Sequence, residues 1–136
     1  MAAIEGRCAC GKVSYESSAD TPAFTGICHC KTCQRSTGSA FSVVIAVPDD
    51  SLSIAGTLKT HTSQGDSGKS ISRQFCPECG SLIADRAELM PGMTMLNAGT
   101  LDDTSWVKPA MQIYCETMQP WVSLNGEMQS FPKMPG

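Results

Sequence analysis

The eight cysteines of this chain fall into groups, and the grouping constrains the fold more than any other feature of the sequence. Cys28, Cys30 and Cys33 lie within six residues. Cys28 and Cys30 are two apart, so on an extended strand their sulfur atoms point to the same face, and a tight turn can bring the Cys33 sulfur back beside them. Three thiols aimed at one point suit a soft metal ion better than a disulfide, which would leave one thiol over and strain a ring between near neighbours.

Two further cysteine pairs are far apart in the sequence. Cys8 and Cys10 precede a glycine, and Cys76 and Cys79 form a CxxC turn that is followed by Gly80. Two such pairs can complete one tetrahedral zinc site with four thiolate ligands. We therefore predict a structural zinc site on Cys8, Cys10, Cys76 and Cys79, in which the metal is a component of the fold and not a catalyst.

The three clustered cysteines have no fourth thiol in their own segment. Three protein ligands with one open position are typical of a catalytic zinc site, which we predict on Cys28, Cys30 and Cys33. Alternatives remain in which His29, Cys115 or a distant carboxylate closes the site. On a strand, however, His29 points to the opposite face from its neighbours, and Cys115 lies in an apolar stretch where a cysteine is usually a small core residue.

The ligand type indicates a reaction. Zinc bound by three thiolates carries a local net charge of about −1, which disfavours hydroxide formation and suits exchange of a water for a soft sulfur ligand. We therefore expect a thiol substrate held as a thiolate, a strong nucleophile towards a carbonyl carbon, with carbon–sulfur cleavage as the reverse reaction. Lys31 and Arg35 flank the cluster and are candidate contacts for the thiol substrate, although an ordinary solvated surface explains them equally well.

Composition excludes several function classes. The chain has 136 residues, of which 41% are hydrophobic and 17% charged, and we predict a single domain over residues 1–136 with its core at about 5–122 and a loosely held tail at 123–136. The net charge of −3 and the lack of a long basic stretch argue against nucleic acid, and no apolar run reaches membrane-spanning length. The N-terminus lacks the pattern of a secretory signal, so we expect a cytoplasmic protein whose cysteines are reduced.

Strand patterns predominate along the chain, and no segment of ten residues shows helical periodicity, so we predict a mostly β fold. The strongest strand pattern covers residues 40–47, and a short helical turn is expected at 32–36, ended by Gly38. Ala55-Gly56 is predicted to form a hairpin or a bulge. The last strand is expected within residues 109–117, centred on Ile113 and Tyr114.

Together these motifs resemble the glutathione-dependent formaldehyde-activating (GFA) enzyme family, which includes centromere-protein-V-like proteins. The resemblance extends over about residues 5–122, and its motifs are Arg7–Gly11, Cys28–Gly38, Arg73–Gly80 and Gly99–Asp103. It implies a β-tent fold of antiparallel sheets joined by a four-cysteine zinc site, with a second, more labile zinc near the active site. It also implies condensation of glutathione, as co-substrate, with formaldehyde, and classification as a carbon–sulfur lyase. The chain departs from the family in one place, because it has Gln112 where many members have histidine.

Three hypotheses follow. The first is a zinc-dependent enzyme that forms or cleaves adducts between a thiol and a carbonyl compound. The second is a non-catalytic zinc module that carries glutathione or binds a protein partner, because one fold serves several functions. The third is a redox-active cysteine cluster.

Overall fold

The computed structural model describes residues 4–135 and consists mainly of β-strands in two sheets, which confirms the predicted fold class. The smaller sheet has three antiparallel strands in the order β1-β2-β5, namely β1 (Ile4–Arg7), β2 (Ser14–Ser17) and β5 (Leu52–Ala55). In β1 and β2 buried and exposed residues alternate, as expected where one face of a sheet packs on a core.

The larger sheet has eight strands in the order β11-β10-β3-β4-β9-β8-β7-β6. In chain order these strands are β3 (Phe24–Cys28), β4 (Ser42–Pro48), β6 (Lys59–Gln64), β7 (Ser70–Phe75), β8 (Leu82–Ala87), β9 (Met93–Asn97), β10 (Met111–Ile113) and β11 (Gln129–Ser130). Helix α1 (Lys31–Thr37) follows β3 and ends at Gly38, as the sequence predicts. No helix in the described part of the chain is long and apolar enough to cross a membrane.

Most strand pairs are antiparallel, but β10 pairs in parallel with both β3 and β11. The expectation of purely antiparallel sheets is therefore wrong at this edge. The strand β11 belongs to the tail that we predicted to be loosely held, and Gln129 and Ser130 pair there with Met111 and Gln112.

Two other local predictions are wrong. Ala55-Gly56 does not form a hairpin, because β5 pairs with β2 in the small sheet while β6 pairs with β7 in the large one. Gly56 has φ of +99°, and a Cβ atom there would collide with the carbonyl oxygen of Lys12, so the position requires glycine for this change of sheet. The last predicted strand is also shorter than expected, because Tyr114 leaves β10 with φ of 57° and a 3-10 turn covers Cys115–Thr117.

The hydrophobic core lies between the two sheets. The large sheet contributes Ile45, Val47 and Leu96, and the small sheet contributes Ile4 and Tyr15. Cys8 and Cys76 belong to the same buried cluster, which brings one cysteine from each end of the four-cysteine motif into the core. The two sheets therefore meet close to the four cysteines on which the sequence predicts a structural zinc.

One end of the large sheet carries both cysteine groups. Cys28 ends β3 opposite Ser42, which begins β4. At the same end β9 finishes at Asn97, and the turn between β7 and β8 contains Cys76 and Cys79. The register of five strands thus places the two groups at the same end of the large sheet, with β4, β9 and β8 between β3 and β7.

Candidate metal centres

Cys8, Cys10, Cys76 and Cys79, here called the tetrad, bring their sulfur atoms within 4.8 Å of one another. Cys8 follows β1 in the small sheet and Cys76 follows β7 in the large sheet. The Sγ atoms of Cys8 and Cys10 are 3.6 Å apart, and those of Cys10 and Cys76 are 3.8 Å apart. A tetrahedral zinc site with Zn–S bonds of about 2.3 Å requires sulfur atoms about 3.8 Å apart, so the tetrad fits zinc.

Neighbouring donors support thiolate ligands in the tetrad. The backbone N–H of Val13 donates to the Cys8 sulfur at 3.3 Å, and the Ser81 hydroxyl lies 3.3 Å from the Cys79 sulfur. The hydrogen bond from Ser81 is the main cause of a pKa of about 5 for Cys79. Ser81 also accepts the backbone N–H of Ala9 at 3.0 Å, so the two cysteine turns contact each other directly.

Cys28, Cys30 and Cys33, here called the triad, also bring their sulfur atoms within 4.8 Å of one another. All three are partly buried, whereas the tetrad has two buried and two exposed members. Among the described residues, no further His, Cys, Asp or Glu ligand atom joins the triad. The residues present therefore fit a metal with three thiol ligands, and the donor set is soft.

Helix α1 organises the triad. Cys30 is the N-cap of α1, and its sulfur accepts the backbone N–H of Cys33 at 3.2 Å, which draws the two side chains together. Hydrogen bonds from Cys28 and then from Cys33 stabilise a Cys30 thiolate and lower the pKa of Cys30 to about 3. Hydrogen bonds with Cys30 and Cys33 raise the pKa of Cys28.

His29 is fully buried and lies on the face opposite to the triad. Its Nε2–H donates to Oε1 of Gln112 at 2.8 Å, and the Gln112 amide donates to Ser130 at 2.9 Å. Gln112 thus connects His29 to β11. His29 is not grouped with the triad sulfurs, and this placement does not favour the alternative in which it closes the site.

The other candidate residues lie outside the cluster. The Cys115 sulfur contacts the carbonyl oxygen of Gln112 at 3.6 Å and does not join the triad. Lys31 and Arg35 are exposed on α1. Neither is among the described residues that line the cleft of the next paragraph. None of the eight cysteines, all of which are among the described residues, is in a disulfide.

A cleft of about 510 Å³ is lined at one side by Ser42 and at another by Ser81. Phe41 and Leu82 supply apolar walls. The lining residues that carry a hydroxyl group are Ser36, Thr37, Ser39, Ser42, Ser81 and Thr100. Ser42 pairs with Cys28 and Ser81 contacts Cys79, so the lining includes one neighbour of each cysteine group, and the volume is that of a small-molecule site.

The spacing of the cysteines does not predict the buried polar residues that the structure shows on α1, β7 and β8. Gln34 is buried in α1 and donates to the carbonyl oxygens of His29 at 2.8 Å and Thr117 at 3.1 Å. Arg73 and Asp85 are buried opposite each other on β7 and β8. A charged residue after the apolar run Leu82–Ala84 is the one sequence signal that could have drawn attention to Asp85.

The fold and the two clusters define a mostly β protein with two candidate zinc sites. A family model described as "Glutathione-dependent formaldehyde-activating enzyme" matches residues 3–117, and the chain belongs to this family.

Similar proteins share part of their length with this chain. A Phaeosphaeria nodorum protein named "Putative glutathione-dependent formaldehyde-activating enzyme" is 29% identical over 115 residues, which cover 82% of this chain and 59% of that protein. An Aspergillus flavus protein of the same name is 32% identical over 85 residues, which cover 60% of this chain and 44% of that protein. The chain spans about half the length of the curated relatives it matches.

A crystal structure of a Rhodobacter sphaeroides protein has a similar fold, with a TM-score of 0.58. The match has 22% sequence identity and covers 78% of this chain and 92% of that one. At this identity the likeness bears on the fold alone.

Proposed function

We propose that this chain is a zinc-dependent enzyme of the carbon–sulfur lyase type, which joins a thiol to an aldehyde and cleaves the adduct at the triad. The proposed substrates are glutathione and formaldehyde or a related aldehyde. In the forward direction the thiol sulfur bonds to the carbonyl carbon, and the thiol proton ends on the carbonyl oxygen, giving an S-hydroxyalkyl product. The reverse reaction breaks the carbon–sulfur bond and returns both reactants.

The proximity of three thiols without a fourth ligand carries this proposal. The triad sulfurs lie within 4.8 Å of one another, and no other potential ligand atom among the described residues joins them. When bound there, zinc would accept a sulfur ligand and favour its thiolate form. Membership of the family supports glutathione as the thiol and formaldehyde as the aldehyde.

The residues of the chain have separate roles in this proposal. Cys28, Cys30 and Cys33 hold the metal, with Cys30 oriented by the N–H of Cys33. The hydroxyl-lined cleft beside Ser42 accepts the polar body of the thiol and keeps its sulfur at the triad. Lys31 and Arg35 remain proposed contacts for the carboxylates of glutathione, supported by their exposed positions on the helix that carries Cys33.

The tetrad has a different proposed role. We propose that Cys8, Cys10, Cys76 and Cys79 hold a structural zinc, which their sulfur spacing and their position between the sheets support. A single domain over the whole chain and a cytoplasmic location are further proposals. The eight cysteines without a disulfide, all among the described residues, are compatible with a reducing compartment.

Calorimetry with a matched pair of ligands tests the triad. Zinc-loaded protein is titrated with reduced glutathione and with S-methylglutathione, and metal content is measured on the same samples. We expect about two zinc ions per chain and binding of glutathione that is at least about 10-fold tighter than that of its S-methyl analogue, because only the free thiol supplies a thiolate. Equal binding of both ligands would remove the metal–sulfur contact from the mechanism.

A pair of cysteine variants tests the assignment of residues. Cys33→Ser is expected to lose one zinc equivalent, glutathione binding and the catalysed exchange between formaldehyde and S-hydroxymethylglutathione observed by NMR. Cys115→Ser, a partly buried cysteine outside both clusters, is the control and should keep all three. Binding without catalysed exchange in the parent protein would instead favour a non-catalytic module that carries glutathione.

A further inference from the structure

Both backbone polar groups of His29, the residue between the first two triad cysteines, are hydrogen-bonded to other segments of the chain. The carbonyl oxygen accepts the amide Nε2–H of Gln34 at 2.8 Å, and the hydroxyl of Thr117 lies 2.9 Å from the same oxygen. The N–H donates to the carbonyl oxygen of Ile113 at 3.0 Å. A carbonyl oxygen has two lone pairs, so these two side-chain donors use its full capacity.

Gln34 is the first of the two donors, and it is only 7% exposed on helix α1. Its Nε2 also donates to the carbonyl oxygen of Thr117 at 3.1 Å, and its Oε1 accepts the side-chain amide of Gln119 at 2.7 Å. Its backbone N–H donates to the carbonyl oxygen of Cys30 at 3.0 Å. Burying an amide is costly unless its polar atoms find partners, and this glutamine meets that condition. Gln34 thus connects the segment of the triad to the C-terminal part of the chain.

The second donor belongs to a strained turn at residues 114–119, here called the tail turn. Tyr114 has φ of 57°, and among the described residues it is the only one other than glycine with a positive φ. A bulky residue rarely adopts this conformation, which persists only where the surrounding structure over-determines it. The Thr117 hydroxyl also lies 3.0 Å from the carbonyl oxygen of Tyr114, so its one proton is shared between that oxygen and the oxygen of His29. The strained turn therefore places a hydroxyl against the main chain between two triad ligands.

These side-chain bonds begin where the strand pairing ends. The last register pair of β10 with β3 is Ile113 with Cys28. Beyond it the chain remains extended for two residues, since Cys30 has φ of −63° and ψ of 151°, and then enters α1. Two cysteines two residues apart point to the same face only while the backbone between them stays extended. The bonds to His29 therefore act at the point on which the common direction of the two sulfurs depends.

We propose that Gln34 and Thr117 are positioning residues of the triad, which fix the carbonyl group of His29 so that the cysteines on either side present their sulfur atoms to one metal ion. This inference rests on the metal site of the proposed function. Neither side chain is a ligand, because both act through the main chain of His29. The tail turn is thus part of the triad site, although Thr117 is 88 residues from His29 in the sequence.

The experiment measures zinc binding by the full chain in competition with a chromophoric chelator. Thr117→Val removes the hydroxyl at nearly constant volume, and Thr117→Ser keeps it. Groups that orient metal ligands typically contribute about 10- to 100-fold to metal affinity, so we expect the dissociation constant of the weaker zinc equivalent to rise about 10-fold in Thr117→Val. It should stay near the parental value in Thr117→Ser, and the tighter equivalent should be unchanged in both variants.

Thr62→Val is the matched control, because Thr62 is exposed like Thr117 and its hydroxyl bonds to that of Ser72 at 3.0 Å, between β6 and β7. It should leave both zinc equivalents at parental affinity. Gln34→Met removes the whole amide and should raise the dissociation constant of the weaker equivalent by up to about 100-fold.

The absorption spectrum of the cobalt-substituted protein gives a second measurement. Ligand-field bands depend on the geometry of the sulfur ligands, so the bands of the weaker site should shift in Thr117→Val and return in Thr117→Ser. A merely structural hydroxyl would change stability towards urea and leave the spectrum of the bound ion as in the parent protein.

Several results would overturn the inference. Parental affinity at the weaker site in both Thr117→Val and Gln34→Met would show that the two donors do not position the ligands. Equal weakening of both zinc equivalents, or no recovery in Thr117→Ser, would indicate a general loss of stability. If Gln34→Met does not fold, the comparison of Thr117→Val with Thr117→Ser still tests the proposal, since Thr117 is exposed. A parent protein that binds only one zinc equivalent would refute the metal site of the proposed function, whereas two equivalents with unchanged variants would refute this inference alone.

Discussion

The tetrad and the triad use the same side chain but connect very different lengths of chain. Cys10 and Cys76 of the tetrad are separated by 66 residues and lie on turns that belong to different sheets. The triad is confined to one segment, from the last residue of β3 to the first turn of α1. Closing a loop of 66 residues costs a flexible chain about 3.7 kcal/mol of entropy, and closing one of five residues costs about 1.4 kcal/mol. A metal that links the ends of the longer loop therefore constrains the unfolded chain more and stabilises the fold more.

The two clusters also differ in the pattern of burial. Cys8 and Cys76 are 2% and 0% exposed and belong to the hydrophobic core, and Cys10 and Cys79 are exposed, whereas all three triad members are partly buried. A metal at the tetrad would hold the sheets together, and a metal at the triad would have only three ligands from the described residues. The comparison therefore assigns stability to one cluster and ligand binding to the other, and each prediction below tests that division.

The largest expected effect is the loss of the tetrad. Cys76→Ser should destabilise the protein by at least about 3 kcal/mol, because a zinc site that forms only in the folded chain contributes its binding energy to folding. This corresponds to a fall in melting temperature of about 10 °C or more, measured by circular dichroism. Cys33→Ser, the matched variant in the triad, should lower the stability by no more than about 1.4 kcal/mol, the loop-closure value for five residues. Equal losses in the two variants would contradict the division.

Metal removal gives the next largest difference. With a chelator in excess, the zinc equivalent at the triad is expected to leave at least about 100-fold faster than the one at the tetrad. The reason is that the triad has three ligands and the tetrad has four. The far-UV circular dichroism spectrum should be unchanged after the first equivalent has left and should collapse with the second. Release of both equivalents in one phase, together with unfolding, would show that the two clusters are not independent.

The sequence could predict the clusters, because their geometry is local. A CxC strand or a CxxC turn brings its own sulfurs together, and a glycine after the turn permits the left-handed backbone. The fold class followed from strand patterns for the same reason. In contrast, the parallel pairing of β10 with β3 and the meeting of Arg73 with Asp85 depend on the register between distant strands. A residue's identity does not encode its cross-strand neighbour, so these features required the structure.

The same limit applies to the residues around His29. Its burial and its bond to Gln112 arise because β10 lies beside β3, with Ile113 opposite Cys28. From the sequence, the alternation of a strand indicates only that His29 points away from Cys28. The structure adds that Gln112 lies on the far side of the sheet from the triad, where it pairs with Ile27.

The two tyrosines extend the comparison to alkaline pH. Burial raises the pKa of Tyr15 to about 12, and its hydroxyl pairs with Thr100 at 2.7 Å near the tetrad side of the fold. Burial and the charge of Asp66 raise the pKa of Tyr114 to about 12 as well, next to the triad. Since the folded pKa of Tyr15 exceeds the usual value of about 10, its neutral form contributes stability on the order of 3 kcal/mol below pH 10, and this contribution is lost as the pH rises through 12.

We expect ionisation of Tyr15, which is 4% exposed, to be coupled more strongly to unfolding than ionisation of Tyr114, which is only partly buried. Phenolate absorbance and circular dichroism are recorded together from pH 9 to 13 for Tyr15→Phe and Tyr114→Phe. Tyr15→Phe should remove the part of the alkaline transition that is coupled to loss of structure, whereas Tyr114→Phe should leave it in place. The opposite pattern would mean that the region near the triad, and not the sheet interface, limits stability.

The smallest expected effects come from a matched pair of glycines, one after each cluster. Gly38 ends α1 with φ of 67°, and Gly80 follows Cys79 with φ of 78°. A Cβ atom at either position would meet no atom within 4 Å in the described part of the chain, so Gly38→Ala and Gly80→Ala both test backbone strain alone. Each should cost about 1 kcal/mol of stability, and asparagine, which tolerates the left-handed region, should cost less.

The division between the clusters predicts that this equal strain has unequal consequences for metal binding. Gly38→Ala distorts the end of the helix that carries Cys33, so it should accelerate release of the labile zinc equivalent and leave the tight one unchanged. The backbone N–H of Gly80 donates to the carbonyl oxygen of Cys76 at 2.8 Å, which closes the turn of the tetrad. Gly80→Ala should therefore accelerate release of the tight equivalent. Chelator kinetics on both variants and on their asparagine counterparts measure these rates. If either alanine variant accelerates both phases alike, the strain is shared across this end of the large sheet, and the clusters act as one unit instead of two.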